Sequence, residues 1–270
     1  MDTMKFDETV LRKIYKVIGL SNPDGETYKE RERKHRQIFD FLRHLEKAVG
    51  TLSKHREIVL VDCACGKGYL SFISNYYFSV MQKRKVKFIC IDYNAHVIEA
   101  SRKAAEILGL NNMSFICADI AKVNLEFRPD IVYSLHACDT ATDMAIAKGI
   151  AEDATYIMTV SCCQHTVRKT MKKHPLGAVT QHGVYRERLG DMLADTMRAL
   201  ILESRGYKVR IFEYVSMTET PKNVMVRAVK TGTSSPRKRS EILKRYSDLE
   251  SVFNTTPKLD ELLETIKDRE

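Results

Sequence analysis

Ile58-Val-Leu-Val-Asp-Cys-Ala-Cys-Gly-Lys-Gly68 decides the fold, because an apolar, β-branched run ends in an acid and enters a glycine-rich turn. The segment that follows, Tyr69 to Met81, can form a helix. A strand, a tight turn and a helix in this order place a nucleotide-like ligand at the C-terminal end of the strand. Gly66 and Gly68 suit such a turn, since glycine permits tight bends and lets a ligand approach the backbone.

Two further strand-like runs also end in acids, Phe88-Ile-Cys-Ile-Asp92 and Phe115-Ile-Cys-Ala-Asp119. Three strand-end carboxylates indicate a ligand that is rich in hydroxyl and amino donors. S-adenosylmethionine (SAM) fits, because its ammonium group, ribose hydroxyls and adenine amine are donors and it carries no phosphate. We therefore predict SAM as the cofactor.

Other ligands for the turn fit less well. A phosphate-binding P-loop needs Ser or Thr after Gly-Lys, but Gly68 follows Lys67. The dinucleotide fingerprint needs a third glycine where Ser71 stands, so a nicotinamide enzyme remains open but is not favoured. A tight turn that binds nothing is the remaining alternative.

The chain as a whole predicts an α/β protein with a mostly parallel, doubly wound sheet, because strand and helix patterns alternate from residue 58 to 163. An antiparallel hairpin closes the sheet, with a short connection through Thr220-Pro221-Lys222-Asn223. We expect an N-terminal helical cap (1–50), a catalytic domain (51–230) and a linker with a C-terminal helical tail (231–270). The predicted strands are 58–64, 86–92, 113–119, 130–136, 155–162, 207–215 and 224–229; the predicted helices are 5–20, 27–49, 68–81, 95–109, 139–151, 184–205 and 238–268.

Composition bounds the partners. Among 270 residues, 44 Lys and Arg stand against 35 Asp and Glu, and the net charge of +9 favours a polyanion such as RNA. No apolar run approaches the ~18 residues of a membrane span, and the N-terminus is too charged for a secretory signal. We expect a soluble, cytoplasmic protein whose seven cysteines are reduced thiols, with no membrane partner and an oligomeric state that the sequence leaves open.

Three motifs resemble a known family: Asp62-Cys-Ala-Cys-Gly-Lys-Gly-Tyr-Leu-Ser71, Ser134-Leu-His-Ala-Cys-Asp-Thr-Ala-Thr-Asp143 and Cys162-Cys-Gln-His165. They are similar to class I SAM-dependent methyltransferases, in the methyltransferase-domain family that includes a tRNA ribose 2′-O-methyltransferase and methyltransferase-like proteins of uncertain substrate. The resemblance covers roughly residues 30 to 230. It implies a Rossmann-like class I methyltransferase fold and a preference for tRNA or rRNA.

The resemblance also implies how the cofactor is bound. Asp62, Gly66 and Gly68 would bind the methionine end, Asp92 the ribose hydroxyls and Asp119 the adenine amine, and His136 would line the methyl-transfer face. The neighbours placed with them in the cofactor site are Cys63, Ala64, Tyr93 and Ile120. Ala64 stands where the class I motif has its first glycine; because alanine is comfortable only at negative φ, we expect a slightly different turn or a shifted cofactor.

Acceptor chemistry is expected after the fourth and fifth strands. Methyl transfer needs an aligned nucleophile and, for a hydroxyl, a base. His136 or His165 could be that base, with Asp139 orienting it, and these three are our predicted catalytic residues. Asp139 could instead only cap the helix that begins near Thr140. The Asn-Pro-Pro-aromatic motif of adenine N6 methylation is absent, since Leu135-His-Ala-Cys-Asp139 stands there.

Cysteines near the same strand ends leave two further alternatives. RNA cytosine C5 methylation would use Cys138 with Cys162 or Cys163, although the Pro-Cys and Thr-Cys contexts are missing. A zinc site could use the same cysteines with His165, but adjacent cysteines are an awkward chelate. Small thiols packed beneath the cofactor are favoured over zinc, so no metal site is predicted.

The leading hypothesis is therefore a SAM-dependent RNA methyltransferase. A small-molecule or protein methyltransferase, and a SAM-binding interaction module without catalysis, remain alternatives. Lys222 at the hairpin tip could touch substrate phosphate or belong to an ordinary turn. The N-terminal helix with Lys34, His35 and Gln37 could cover the cofactor or only pack.

Overall fold

A computed structural model of the chain describes residue 4 and residues 6–21, 29–232 and 234–267. These residues form two compact units. The first comprises the chain up to Ile131 together with Tyr214–Asn223, and the second comprises Val132–Glu213 and the chain from Val224 onward. The domain boundaries expected near residues 50 and 230 stay predictions.

The first unit is an α/β layer with three parallel strands in the order β3-β2-β1. The first strand has no exposed residue, which is typical of a parallel strand covered on both faces. The strands are β1 (Ile58–Cys63), β2 (Val86–Asp92) and β3 (Met113–Cys117), and the helices are α1 (Glu8–Val17), α2 (Lys29–Gly50), α3 (Tyr69–Asn75) and α4 (Ala95–Leu108).

The register of these strands aligns the acids. Asp62 pairs with Cys90, and Asp92 pairs with Cys117, so the carboxyl ends of all three strands lie at one edge. In a parallel sheet this edge is where ligands bind. The first unit therefore carries the predicted cofactor edge.

The second unit contains four strands in the order β4-β5-β7-β6. Tyr156 of β5 pairs with Val229 of β7, and Tyr207 of β6 pairs with Lys230, both antiparallel. The strands are β4, which begins in the first unit (Ile131–Ala137), β5 (Tyr156–Ser161), β6 (Tyr207–Glu213) and β7 (Val224–Lys230); the helices are α5 (Thr140–Ala151), α6 (His165–Thr170), α7 (Gly177–Thr180), α8 (Gly183–Ser204), α9 (Pro236–Phe253) and α10 (Leu259–Lys267).

These elements confirm the predicted Rossmann-like α/β class and the antiparallel hairpin at its end. The structure differs from three local predictions in detail. The helix predicted over 68–81 leaves α geometry at Asn75 and continues as a π-helical segment, Tyr76–Met81. The third strand stops at Cys117, because Asp119 instead caps a short 3₁₀ turn over Ile120–Lys122.

The third difference lies in the tail, which was predicted as one helix and forms two. Asn254 ends α9 in the left-handed conformation, with φ of 51°, and Pro257 lies in the break before α10. Asparagine tolerates this conformation better than most residues, and proline does not continue a helix. The helices α6 and α7 fall in a stretch that the sequence analysis left without structure.

The tail is packed rather than loose. Phe253 at the end of α9 is buried in a cluster with Val167, Met171, Leu193 and Ala194. Thr255 also meets Thr170, with 2.5 Å between the hydroxyl oxygens. The tail therefore supports α6 within the second unit.

Within the described residues, no helix combines the length and the apolar character needed to cross a membrane.

Candidate functional site

The glycine-rich turn after β1 adopts a left-handed backbone at three positions. Ala64 has φ of 60°, Gly66 of 53° and Gly68 of 64°. The turn therefore imposes on Ala64 a conformation that glycine adopts freely, and the expected difference in the turn or shift of the cofactor stays a prediction. A Cβ built on Gly66 would meet no atom within 4 Å, whereas one on Gly68 would lie 3.3 Å from the Phe72 ring. Gly66 thus borders open space, and Gly68 is needed for packing.

Asp92 ties the turn to the second strand. One carboxylate oxygen accepts a hydrogen bond from the Gly66 N–H at 2.8 Å, and the other accepts one from the Asn94 N–H at 2.9 Å. The residue is 7% exposed. Because each carboxylate oxygen has two lone pairs, Asp92 retains acceptor capacity for hydroxyl donors.

The other two strand-end acids are also placed at this edge. Asp62 is buried, and its carboxylate accepts a hydrogen bond from the Ser71 hydroxyl at 2.5 Å. Ser71 is the residue that stands where a dinucleotide fingerprint has its third glycine, and here it anchors α3 to β1. Asp119 accepts a hydrogen bond from the Ala121 N–H at 3.0 Å and so fixes the turn after β3.

The neighbours predicted to join the cofactor site differ in exposure. Cys63 is fully buried, so its side chain belongs to the core, and Ile120 is buried at 5% exposure. Tyr93 is 83% exposed, directly after Asp92. An exposed aromatic ring beside strand-end acids is a feature that a ligand with a flat base can use.

The N-terminal helices lie close to the same turn. The Lys34 ammonium lies 4.6 Å from the centre of the Tyr69 ring, and the Tyr69 hydroxyl is 3.5 Å from the Gly19 carbonyl. His35 stacks on Phe39, with ring centres 4.3 Å apart. Gln37 donates to the Glu219 carbonyl at 3.4 Å. Lys34 therefore reaches the turn, whereas His35 and Gln37 pack elsewhere.

The hairpin tip is an ordinary turn in its backbone contacts. The Lys222 N–H donates to the Thr220 hydroxyl at 3.1 Å, and the buried Asn223 side chain donates to the Val215 carbonyl at 3.0 Å. A phosphate contact of Lys222 stays a prediction.

The residues present fit SAM. The first unit offers three carboxylates to its donors, open space above Gly66 and an exposed ring at Tyr93. Within this set, Asp62, Asp92 and Asp119 would hold the polar groups. When bound, SAM supplies an activated methyl group.

In the second unit, the backbone at the end of β4 and just after it is strained at two predicted catalytic residues. His136 has φ of 60°, and Asp139 has φ of 44° with ψ of −107°. Non-glycine residues in such conformations cost about 1–3 kcal/mol each and cluster at functional sites. His136 is half-buried.

Asp139 occupies the N-cap position of α5, but its side chain makes no capping hydrogen bond there. Its carboxylate accepts hydrogen bonds from the Thr166 N–H at 2.9 Å and the Thr166 hydroxyl at 2.7 Å. The Asp139 N–H also donates to the Cys163 carbonyl at 3.0 Å. Asp139 thus joins the loop after β4 to the first turn of α6, where His165 stands.

His165 opens onto a basic cavity. The cavity has a volume of about 430 Å³ and is lined by His165, Arg168, Lys169, Gly183, Arg186 and Glu187. The Arg168 guanidinium lies 3.0 Å from His165 Nδ1 and 3.4 Å from the Glu187 carboxylate. Three permanent positive charges face one negative charge, so this basic cavity suits an anion.

Three cysteines approach one another at the ends of β4 and β5. The sulfur atoms of Cys138, Cys162 and Cys163 all lie within 4.8 Å of one another. Burial, followed by the hydrogen bond with Cys138, raises the pKa of the Cys162 and Cys163 thiols. Cytosine C5 methylation needs a thiolate nucleophile, and this environment does not favour one.

Sequence analysis missed Arg198, which is fully buried in α8. It donates to the Asp143 carboxylate at 2.7 Å and to the Gln164 side-chain oxygen at 2.8 Å. It also donates to the Asp139 carbonyl at 3.2 Å and pairs with Asp195 at 3.3 Å. The sequence held one signal for this residue: Arg198 is a charged residue on a helical face that is otherwise apolar between Ala194 and Ile201.

Comparison with known proteins gives one family match. Residues 33–170, just over half of the chain, match the model of a family described as a methyltransferase domain. A search of curated proteins found no match.

Solved methyltransferases share the fold at low identity. The SAM-bound magnesium protoporphyrin IX methyltransferase of Synechocystis PCC 6803 is 16% identical, covers 85% of this chain and 100% of its own, and superposes with a TM-score of 0.50. The SAH-bound methyltransferase PaMTH1 of Podospora anserina is 13% identical, with 84% and 89% covered and a TM-score of 0.50.

The strand, turn and helix around Asp62, the acids that follow the next two strands and the sheet with its terminal hairpin agree with the family match. The chain belongs to this family of methyltransferase domains and has a Rossmann-like class I methyltransferase fold.

Proposed function

We propose that this enzyme methylates RNA, with tRNA or rRNA as the acceptor, and that it does so in the cytoplasm. The observation that carries the proposal is the basic cavity, in which Arg168, Lys169 and Arg186 surround His165. Phosphate groups bind to clusters of this kind, and the net charge of +9 adds long-range attraction. The seven cysteines are free thiols, which agrees with a reducing compartment.

We propose that His136, Asp139 and His165 serve the acceptor side of the reaction. His136 or His165 would remove the proton of a ribose hydroxyl as the methyl group is transferred. Asp139 would act as a positioning residue, because its carboxylate binds the first turn of the helix that carries His165. The strained backbone at His136 and Asp139 supports this assignment.

We also propose the cofactor contacts. Asp62, Cys63, Ala64, Gly66 and Gly68 would form the methionine end of the site. Beyond that end, Asp92 and Tyr93 would serve the ribose, and Asp119 and Ile120 the adenine. Because Cys63 and Ile120 are buried, their contribution would come from backbone groups or from shape.

The acceptor experiment incubates the purified chain with total tRNA, total rRNA and SAM carrying an isotopically labelled methyl group. Nucleoside digestion and mass spectrometry then identify the labelled product. We expect label in a 2′-O-methylated nucleoside, and a loss of at least about 100-fold in His136→Ala or His165→Ala with SAM affinity retained. His96→Ala, an exposed histidine in the first turn of α4, is the matched control.

Label found only in small molecules or protein would replace RNA as the acceptor class. SAM binding with no methylated product in any fraction would support the interaction module instead. Full activity in all three histidine variants would refute the assigned roles while leaving the acceptor class established.

A further inference from the structure

The sulfur atoms at the ends of β4 and β5, on Cys138, Cys162 and Cys163, form a cluster that methyl transfer does not use. We propose that this thiol cluster binds one soft metal ion, zinc, through three thiolates, with a fourth position open to water. Zinc sites with three protein ligands and one exchangeable ligand are a recurrent arrangement. The proposal is independent of the acceptor class.

The distances suit such a site. All three sulfurs lie within 4.8 Å of one another, and Cys138 and Cys162 are 2.8 Å apart. Zinc–sulfur bonds are about 2.3 Å long and tetrahedral, so the sulfurs of an occupied site lie about 3.8 Å apart, and Cys138 and Cys162 would separate by about 1 Å on binding. Small side-chain rotations would complete the coordination. Among the residues that the structure describes, the cluster has three members.

Adjacent cysteines would be a poor chelate in an extended strand, because successive side chains point to opposite faces. Here β5 ends at Ser161, Cys162 lies in the bend that follows, and Cys163 lies in the irregular segment before α6. This bend lets neighbouring side chains turn the same way. The geometry thus removes the main objection that the sequence raised against a metal.

The cluster is accessible and is held in place. Cys138 is exposed, and Cys162 and Cys163 are half-buried. The Asp139 N–H binds the Cys163 carbonyl, and Arg198 binds the Asp139 carbonyl from within the core. The two loops are therefore fixed before any ion arrives, which lowers the entropic cost of binding.

Zinc binding would release one proton for each cysteine thiol that coordinates the ion. Each thiol that coordinates the ion gives up its proton to solvent, because the thiolate is the ligand. Three thiols and one Zn²⁺ thus give a zinc–trithiolate and three protons. Affinity should consequently rise with pH.

The test titrates the reduced full-length chain, free of chelator, with Co²⁺ and with Zn²⁺. We expect one Co²⁺ per chain with thiolate-to-cobalt charge-transfer absorption, which Zn²⁺ displaces. Cys138→Ser and Cys163→Ser should each weaken binding by at least about 100-fold, the upper range seen when even outer-shell partners are lost. Cys117→Ser, an exposed cysteine in the first unit, should bind as the unchanged chain does.

Circular dichroism checks that each variant folds. Because Cys138→Ser and Cys163→Ser are tested separately, the proposal remains testable if one of them misfolds. Absence of the charge-transfer band in the unchanged chain would refute the site without any variant. Equal affinity in Cys138→Ser, or a Cys138–Cys162 disulfide that persists in the reduced protein by thiol counting, would refute it as well. Because the readout is metal absorbance, the result does not depend on finding the RNA acceptor.

Discussion

Ala64 shows how a single residue can work against its own conformational preference. Its φ of 60° is one that glycine adopts freely and alanine avoids, at a cost of about 1–3 kcal/mol. The turn keeps this conformation because Gly66 and Asp92 are hydrogen-bonded on its far side.

We therefore predict that Ala64→Gly stabilises the chain by about 1 kcal/mol, measured by urea unfolding. The control is Ala118→Gly. Ala118 is also half-buried, directly follows β3 and is not at positive φ, so Ala118→Gly should lower stability. If Ala64→Gly lowers the stability, the positive φ of Ala64 does not cost the native state the free energy that we infer.

The contribution of Tyr93 to SAM binding can be measured separately from its contribution to folding. Because it is 83% exposed, Tyr93→Ala should change stability by less than about 0.5 kcal/mol. We expect SAM affinity, measured by calorimetry, to fall several-fold. Ile107→Ala, an exposed apolar residue in α4, is the control and should leave affinity unchanged. Unaltered binding in Tyr93→Ala would remove the residue from the proposed site.

At the scale of elements, α8 anchors the loops that carry the residues proposed for the acceptor side. Arg198 has no exposed surface and binds two carboxylates, a side-chain amide and a backbone carbonyl. Burial raises the pKa of Asp143 and Asp195, and the Arg198 charge opposes that rise. Removing the guanidinium would leave both carboxylates uncompensated.

We predict that Arg198→Met destabilises the chain by about 3–5 kcal/mol in urea unfolding. Adding Asp143→Asn should recover part of the loss, because it removes one uncompensated charge. Arg188→Met, at an exposed position of the same helix, should shift stability by less than about 0.5 kcal/mol. A loss in Arg198→Met no larger than that of the control would contradict the anchoring role.

His35 couples the packing of α1 on α2 to pH. It stacks on Phe39 and meets the Tyr15 ring edge-on, 5.3 Å between centres. Burial lowers the pKa of His35, Arg36 lowers it further, and Glu32 opposes them. The unfolded chain therefore takes up the proton first as pH falls below about 6.5.

The contribution of neutral His35 to stability is thus present above about pH 6.5 and is lost as pH falls through the lower, folded pKa. We expect the melting temperature to fall between about pH 7.5 and about pH 5.5, and to fall less in His35→Phe. His96→Phe, which replaces an exposed histidine, should follow the unchanged chain. Identical pH dependence in all three proteins would rule His35 out.

At the scale of the whole molecule, net charge would govern the proposed binding to RNA. The excess of nine positive charges and the basic cavity predict binding to bulk tRNA that weakens steeply with salt. Replacing Lys169 and Arg186 together by Ala should lower affinity and reduce the slope of log K against log salt by roughly two. Replacing the exposed Arg237 and Lys238 of α9 is the control of equal charge.

If both double variants lose the same affinity, only net charge matters and the cavity is not the contact. Filter binding at several salt concentrations measures all three proteins. Calorimetry with SAM should show unchanged cofactor affinity in each, since the altered residues lie outside the cofactor edge.

The sequence predicted those parts of the proposed site whose residues lie close to one another along the chain. Asp62, Gly66 and Gly68 lie within seven residues, Asp92 ends β2 and Asp119 follows shortly after β3, so the proposed cofactor edge was predictable from local pattern. The conformation of Ala64 was not, because a propensity states what a residue prefers and not what its surroundings impose.

The sequence by itself determined the alternation of strands and helices, the acids at three strand ends and the terminal hairpin, because each follows from backbone periodicity over a few residues. Only the tertiary structure decided that Asp139 binds α6 and not α5, and that Arg198 lies beneath the loops. The tertiary structure alone assembled the three cysteines of the thiol cluster and, separately, the residues that line the basic cavity. These groupings join residues 24 or more positions apart in several cases, and contacts of that kind depend on packing that no local pattern encodes.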